Sequence, residues 1–263
     1  MKSMKSMVRV IVFMCMCVAS GIGAITVTNT ATFAEAGNGV SGPFGVTFSN
    51  FDMAGGNTVV ALVSFESSVG MGTVTYGGVA ADAVVTAQNG VQQAFVFYWI
   101  DVASGSDLIV TPAAGAGIWD MLAVSALTLS DVTGVYATAT GIEGKGSGTE
   151  LNYDSGNGLS VAAFVDNSYD PAAPPPYISA ASAFLDTIVQ AQGGSTSSPF
   201  DISKGSAGFA HAYGETTAAT GIFDQFMQGS SSTREAAALV NFIPEPATVI
   251  LLGLGGLVLR RRK

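Results

Sequence analysis

Ala94-Phe95-Val96-Phe97-Tyr98-Trp99-Ile100 is the stretch that decides the fold class. Side chains alternate across a β-strand, so Phe95, Phe97 and Trp99 share one face while Val96, Tyr98 and Ile100 share the other. Both faces are apolar, which predicts a central strand covered by protein on each side. Burying side chains of this size is worth roughly 1.5–3 kcal/mol each.

Working outward, short apolar runs recur between Gly, Asn, Asp, Ser and Pro, the pattern of an all-β domain. Strands are expected at 46–51, 58–65, 73–76, 83–87, 94–100, 108–111 and 121–129. Further ones are expected at 135–140, 159–165, 185–190, 208–213, 222–227 and 236–242. Turn signals separate them, among them Gly55-Gly56-Asn57, Gly77-Gly78, Asn89-Gly90, Ser104-Gly105 and Gly193-Gly194. The run at 121–129 carries small residues on each face, which suits close sheet packing. Arg234-Glu235-Ala236-Ala237-Ala238-Leu239 is helical by propensity, yet its place at the end of the domain suits a last strand. The 33 glycines and the 11% charged content agree with a β protein and argue against a helical bundle.

Charge is unevenly placed along the chain. Seven of the ten basic residues lie in the two termini. Between Ile25 and Ile243 the cations are Lys145, Lys204 and Arg234, set against 18 acids, a formal core charge of −15. Phosphate binding needs Lys and Arg to displace counterions, so nucleic acid is excluded as a partner. Both cysteines, Cys15 and Cys17, sit in the N-terminal apolar segment, so a chain without that segment has neither disulfide nor thiolate chemistry.

The two ends carry addresses. Lys2, Lys5 and Arg9 precede the apolar run Val10 to Ala19, and small residues follow at Ser20, Gly21, Gly23 and Ala24. That is the layout of a secretory signal peptide over residues 1–24, which implies export by the Sec translocon and removal by signal peptidase. At the other end Pro244-Glu245-Pro246 precedes the 13-residue apolar run Ala247 to Leu259 and the terminal Arg260-Arg261-Arg262-Lys263. A helix of that length is about 20 Å long, marginal for a ~30 Å hydrocarbon core. The terminal cations would hold the tail on the cytoplasmic side.

Those C-terminal residues resemble the PEP-CTERM sorting signal of Gram-negative bacteria. The resemblance implies that an exosortase, a membrane enzyme, recognises Pro244, Glu245, Pro246 and the cluster Arg260, Arg261 and Arg262. It also implies a transient inner-membrane anchor, an exopolysaccharide-producing source and delivery to the cell surface or the extracellular space. The core resembles a bacterial β-sandwich domain of jelly-roll or concanavalin-like type. The matching pieces include Asn57 to Phe65, Val74 to Val79, Phe97 to Ile100, Asp107 to Thr111, Leu122 to Leu127 and Asn157 to Val161. The expected architecture is thus one antiparallel β-sandwich over 25–242, between an N-terminal signal helix and a short hydrophobic helix in the sorting segment 243–263. The resemblance assigns no activity and no functional residues to the core.

Catalytic constellations are sparse. His211 is the single histidine, and no Gly-x-Ser-x-Gly elbow accompanies it, so a structural role is expected. Gly144-Lys145-Gly146-Ser147-Gly148 fits no nucleotide-binding fingerprint and reads as a hairpin. Glu143 with Glu150, or Asp166 with Glu215, are the carboxylate pairs a polysaccharide-cleaving enzyme would need. Asp166-Asn167-Ser168-Tyr169-Asp170 groups oxygen ligands of the kind Ca²⁺ prefers, with Asp166 and Asp170 as the candidate carboxylates. It matches no EF-hand spacing, and an Asp/Asn-rich turn before Pro171 is the plainer reading. Tyr153, Tyr169 and Tyr177, with Trp119, are the loop aromatics able to stack on sugars. The sequence therefore points to a non-catalytic exported protein associated with exopolysaccharide. A polysaccharide-acting enzyme and a self-assembling coat component are its rivals.

Overall fold

The computed structural model describes residues 24–36, 45–103, 105–114, 121–143, 149–153, 158–166, 196–204, 207–216, 223–227 and 235–244. Ile25–Ile243 forms one compact unit. Met1–Ala24 and Pro244–Lys263 form another, of which Ala24 and Pro244 are among the described residues.

The described residues hold strands and no helix. In chain order they are β1 (Thr26–Ala36), β2 (Val46–Phe51), β3 (Thr58–Glu66), β4 (Met71–Tyr76), β5 (Val79–Ala80), β6 (Ala83–Asn89), β7 (Gln92–Ile100) and β8 (Ser106–Pro112). Then follow β9 (Met121–Ser130), β10 (Val132–Glu143), β11 (Thr149–Tyr153), β12 (Gly158–Asp166), β13 (Thr196–Lys204), β14 (Ala207–Thr216), β15 (Phe223–Met227) and β16 (Glu235–Pro244). The all-β, antiparallel architecture expected from the sequence is the one observed. The expected strand at 185–190 and the hairpin at 144–148 lie outside the described residues.

Four sheets organise these strands: β1-β9-β3-β7-β6, β2-β8-β4-β5, β10-β16-β12-β14-β13 and the pair β11-β15. The first is the central sheet, because apolar side chains pack against both of its faces. On one face Val59, Ala61, Val63 and Phe65 of β3, with Phe95, Phe97 and Trp99 of β7, meet Val46, Tyr76, Leu108 and Val110 of the front sheet. On the other face Val60 and Leu62, with Ala94 and Val96, meet Leu159, Val161, Ala163, Val240 and Phe242 of the back sheet. The alternation in β7 therefore has the meaning expected of it: each face belongs to a different core. Sheets packed face to face sit about 10 Å apart, so the sandwich carries a third layer.

The chain builds these layers in sequence. β1 to β9 complete the central and front sheets, and every strand of the back sheet follows β9. The crossing is abrupt: Asp131 is the single residue between β9 of the central sheet and β10 of the back sheet. Its φ of 61° is left-handed, a conformation that Asp tolerates better than most residues. Asp101, at the end of β7, has φ 57° and performs the matching turn toward the front sheet. Asn57 ties the two corners together. Its amide donates to Asp101 Oδ1 at 3.1 Å and to the Val132 carbonyl at 2.7 Å, and its side-chain oxygen accepts from the Val132 N–H at 3.2 Å.

Trp99 is fully buried in the front core, where its indole N–H donates to the Val79 carbonyl at 3.0 Å. That bond meets the need of a buried indole for a polar partner. Phe95 and Phe97, two residues apart on the same face, stack with ring centres 5.6 Å apart.

Candidate functional site

The residue with the most chemistry per atom lies inside the protein. β14 carries His211 in the back sheet, and its side chain is fully buried against the central sheet. Ser125 Oγ of β9 lies 2.7 Å from His211 Nδ1, and Ser64 Oγ of β3 lies 3.0 Å from Nε2. Ser64 also donates its one hydroxyl hydrogen to the Phe164 carbonyl at 2.8 Å. A hydroxyl with its hydrogen committed must accept from the imidazole, which fixes the proton on Nε2. Nδ1 then accepts from the Ser125 hydroxyl. The result is a directed chain: Ser125 donates to His211, His211 to Ser64, and Ser64 to the backbone of β12.

This chain joins strands of both sheets and satisfies both ring nitrogens, as a buried polar group requires. Burial pushes the imidazole down to about 3, so the ring is neutral at ordinary pH. A neutral, fully buried histidine bonded to two serines is arranged to hold sheets together. The structural role expected of His211 is what this geometry describes.

A second region of interest is the end of the last strand. β16 sits between β10 and β12, and its register runs from Glu235↔Asp166 to Phe242↔Leu159. Phe242 is fully buried and meets Tyr98 of β7 edge-on at 5.5 Å. Tyr98 has its phenol pKa raised by burial and by the nearby Asp82 carboxylate. Gly158 opens β12 directly against this point, and the Phe242 carbonyl occupies the place a Cβ there would need. Thr133 Oγ1 donates to the Ile243 carbonyl at 3.4 Å. Pro244 has no N–H to extend a ladder, and the strand stops there.

The remaining candidates are scattered. Asp166 is the last residue of β12, and Glu215 pairs with Leu159 near that strand's start. Seven residues at ~3.3 Å each separate their positions by about 23 Å. The fold therefore does not bring Asp166 and Glu215 together at the 5–9.5 Å that glycoside chemistry uses. The register instead places Asp166 directly opposite Glu235, a juxtaposition that 68 residues of intervening chain conceal from sequence reading. Glu143 ends β10, and Glu150 and Tyr153 lie in β11, where they pair with Phe226 and Phe223. Asp170, Tyr169, Tyr177 and Trp119 lie outside the described residues, as do Glu245, Pro246, Arg260, Arg261 and Arg262. Among the described residues no group of three or more His, Cys, Asp or Glu is placed to hold a metal ion. Among them, too, no helix is long and apolar enough to cross a membrane.

No curated protein and no solved structure matches the chain. One family model does, the PEP-CTERM protein-sorting motif, over residues 242–263. Its span begins at the buried Phe242 and takes in Pro244-Glu245-Pro246, the apolar run and the basic end. The chain carries a PEP-CTERM protein-sorting motif at its C-terminus, the mark of an exported protein sorted by way of an exosortase.

Proposed function

We propose that this is a non-catalytic protein of the cell surface or extracellular matrix, associated with exopolysaccharide and released or transferred through its C-terminal tag. The observation that carries the proposal is the sorting motif at 242–263. In this reading the Sec translocon and signal peptidase handle the N-terminal segment, and the exosortase handles the tag. The short apolar run Ala247 to Leu259 serves as the transient inner-membrane anchor. Two further features support a binding rather than a catalytic role. The single histidine is spent on joining two sheets. The acidic core, at a formal −15, suits a hydrated matrix of neutral glycan or one bridged by Ca²⁺.

Tyr153, Tyr169 and Tyr177 are the residues proposed to stack on sugar rings, with Asp166 and Asp170 as calcium ligands. The test is retention of the purified protein on the source organism's own exopolysaccharide, with Ca²⁺ and with chelator. Retention abolished by Tyr153→Ala or Tyr177→Ala supports the proposal. Passage straight through, with assembly of the protein on its own, would establish a coat component instead. Release of reducing ends would establish an enzyme.

A further inference from the structure

We propose that β6 is a self-docking edge: two copies of the chain pair through it antiparallel, about a two-fold axis at Thr86, and join their central sheets. The pairing depends neither on the sorting tag nor on any glycan.

β6 ends the central sheet, so one of its long sides has no strand against it among the described residues. Every second residue of such a strand turns both N–H and C=O outward, a ready template for a further strand. Folds blunt such edges with bulges, proline, charge, brevity or cover. The other strands that end the three larger sheets follow that rule. β1, β2 and β13 each carry a register shift, and Pro199 lies inside the one in β13. β5 is two residues long, and β10 has β11 beside it. β6 has none of these devices. Its seven residues, Ala83–Asn89, pair with β7 without a shift, and neither proline nor charge occurs in them.

The side chains of β6 fit the same reading. Val84, Thr86 and Gln88 are exposed. Val84 is one of three large apolar side chains left exposed among the described residues. It pairs with Phe97, and Thr86 pairs with Phe95, so both share the face of the stacked aromatics. A second β6 would continue that face with a further row of side chains.

Charge selects the occupant's direction. At a formal −15, two copies repel one another over most of their surface. From Ala83 to Ile100 the chain has no charged residue, so the copies approach here at least cost. A parallel pairing in register would set Asp82 opposite Asp82. Antiparallel pairing centred on Thr86 sets Asp82 opposite Gly90, Val84 opposite Gln88 and Thr86 opposite Thr86. The two Asp82 residues then lie about 26 Å apart along the ladder, well beyond a Debye length of ~8 Å at physiological salt. All seven residues of each strand take part, and Thr opposite Thr is a favourable cross-strand pair. Such a two-fold contact closes on itself, so assembly stops at two copies. One short ladder is smaller than a standard interface of about 800 Å² per partner, so the pair forms and parts with concentration.

The experiment uses the full chain in detergent, with Cys15→Ser and Cys17→Ser. In the pair the two Thr86 Cα atoms lie about 5 Å apart, within the span that a disulfide bridges. Thr86→Cys should therefore form a covalent dimer under mild oxidation roughly tenfold faster than Thr47→Cys, an exposed position on the bulged edge β2. Chains carrying Val84→Cys and Gln88→Cys should cross-link with each other faster than either does with itself. Sedimentation of the cysteine-free chain should show a monomer–dimer equilibrium. Thr86→Lys sets like charges face to face and should weaken that equilibrium by roughly tenfold or more, with the melting temperature unchanged. Equal cross-linking at 86 and 47 overturns the proposal. So does a chain that stays monomeric at every concentration, or a dimer that Thr86→Lys leaves intact. If Thr86→Lys unfolds the chain, the cross-linking rates decide alone.

Discussion

Ser125 Oγ of the central sheet and His211 Nδ1 of the back sheet lie 2.7 Å apart in a fully buried interface. This bond, with its continuation through Ser64 to the Phe164 carbonyl, gives the protein a built-in acid sensitivity. The folded imidazole titrates at about 3 against an ordinary 6.5, so the unfolded chain takes up the proton first. Stability is complete above pH 6.5 and falls as the pH drops toward 3. At about 1.4 kcal/mol per pKa unit, the whole loss is on the order of 5 kcal/mol. Urea unfolding at pH 7, 6 and 5 should show a declining midpoint. His211→Gln should be less stable at pH 7 yet nearly flat across that window. An unchanged wild-type midpoint from pH 7 to 5 would contradict the account.

Phe242 should prove to be a core residue first and part of a tag second. Phe242→Ala removes a fully buried ring and is expected to cost about 3–5 kcal/mol. A chain ending at Ile243 should melt close to the full-length protein, while one ending at Asn241 should lose much of its stability. Calorimetry on the three chains separates these outcomes. Equal melting temperatures for the two truncations would show that β16 is not anchored at its end.

Gly158 has no room for a side chain, because the Phe242 carbonyl stands where a Cβ would go. Gly158→Ala forces β12 and β16 apart at their junction and should destabilise by about 1–3 kcal/mol. Hydrogen exchange should show faster opening of the amides at Leu159 and Phe242, whereas the front sheet keeps its protection. Uniform loss of protection, or none, would refute this local picture.

Asp166 and Glu235 are register partners on adjacent strands. Like charges directly opposite are unfavourable, so Glu235→Gln should stabilise by about 0.2–1 kcal/mol at low ionic strength. The gain should fade above ~0.5 M salt, where screening shortens the reach of the repulsion. A gain independent of salt would mean that the carboxylates do not interact.

Most of the fold was legible because its central strands carry strong signals. The run 46–51 appears as β2 with the same limits, and the two-faced pattern of 94–100 identified a strand covered on both sides. Strands poor in large apolar side chains escaped notice. β1, reading Thr-Val-Thr-Asn-Thr-Ala-Thr-Phe-Ala-Glu-Ala, and the Ser- and Thr-rich β13 present hydroxyl and small residues that do not stand out from turns. The third layer was hidden for another reason. Alternation shows that Val161 and Ala163 share a face, but not which sheet covers it. The partners of His211 lie 86 and 147 residues away, a separation that no local pattern reports. The sorting motif was legible in full because it is linear. Its overlap with β16 at Phe242, Ile243 and Pro244 was not, since the motif's edge is a chain position and the strand's edge is a packing fact.

The central claim is that the exported domain is released or transferred through cleavage of its C-terminal tag, keeping β16 intact. The direct measurement is the intact mass of the protein recovered outside the source cells, with and without an active exosortase. The account predicts a product that begins near Ile25, ends at or shortly after Ile243 and lacks Ala247 to Lys263. Without the enzyme, the full-length tail should stay in the membrane fraction. An external product that retains Arg260 to Lys263, or one of the same mass in both strains, would contradict it.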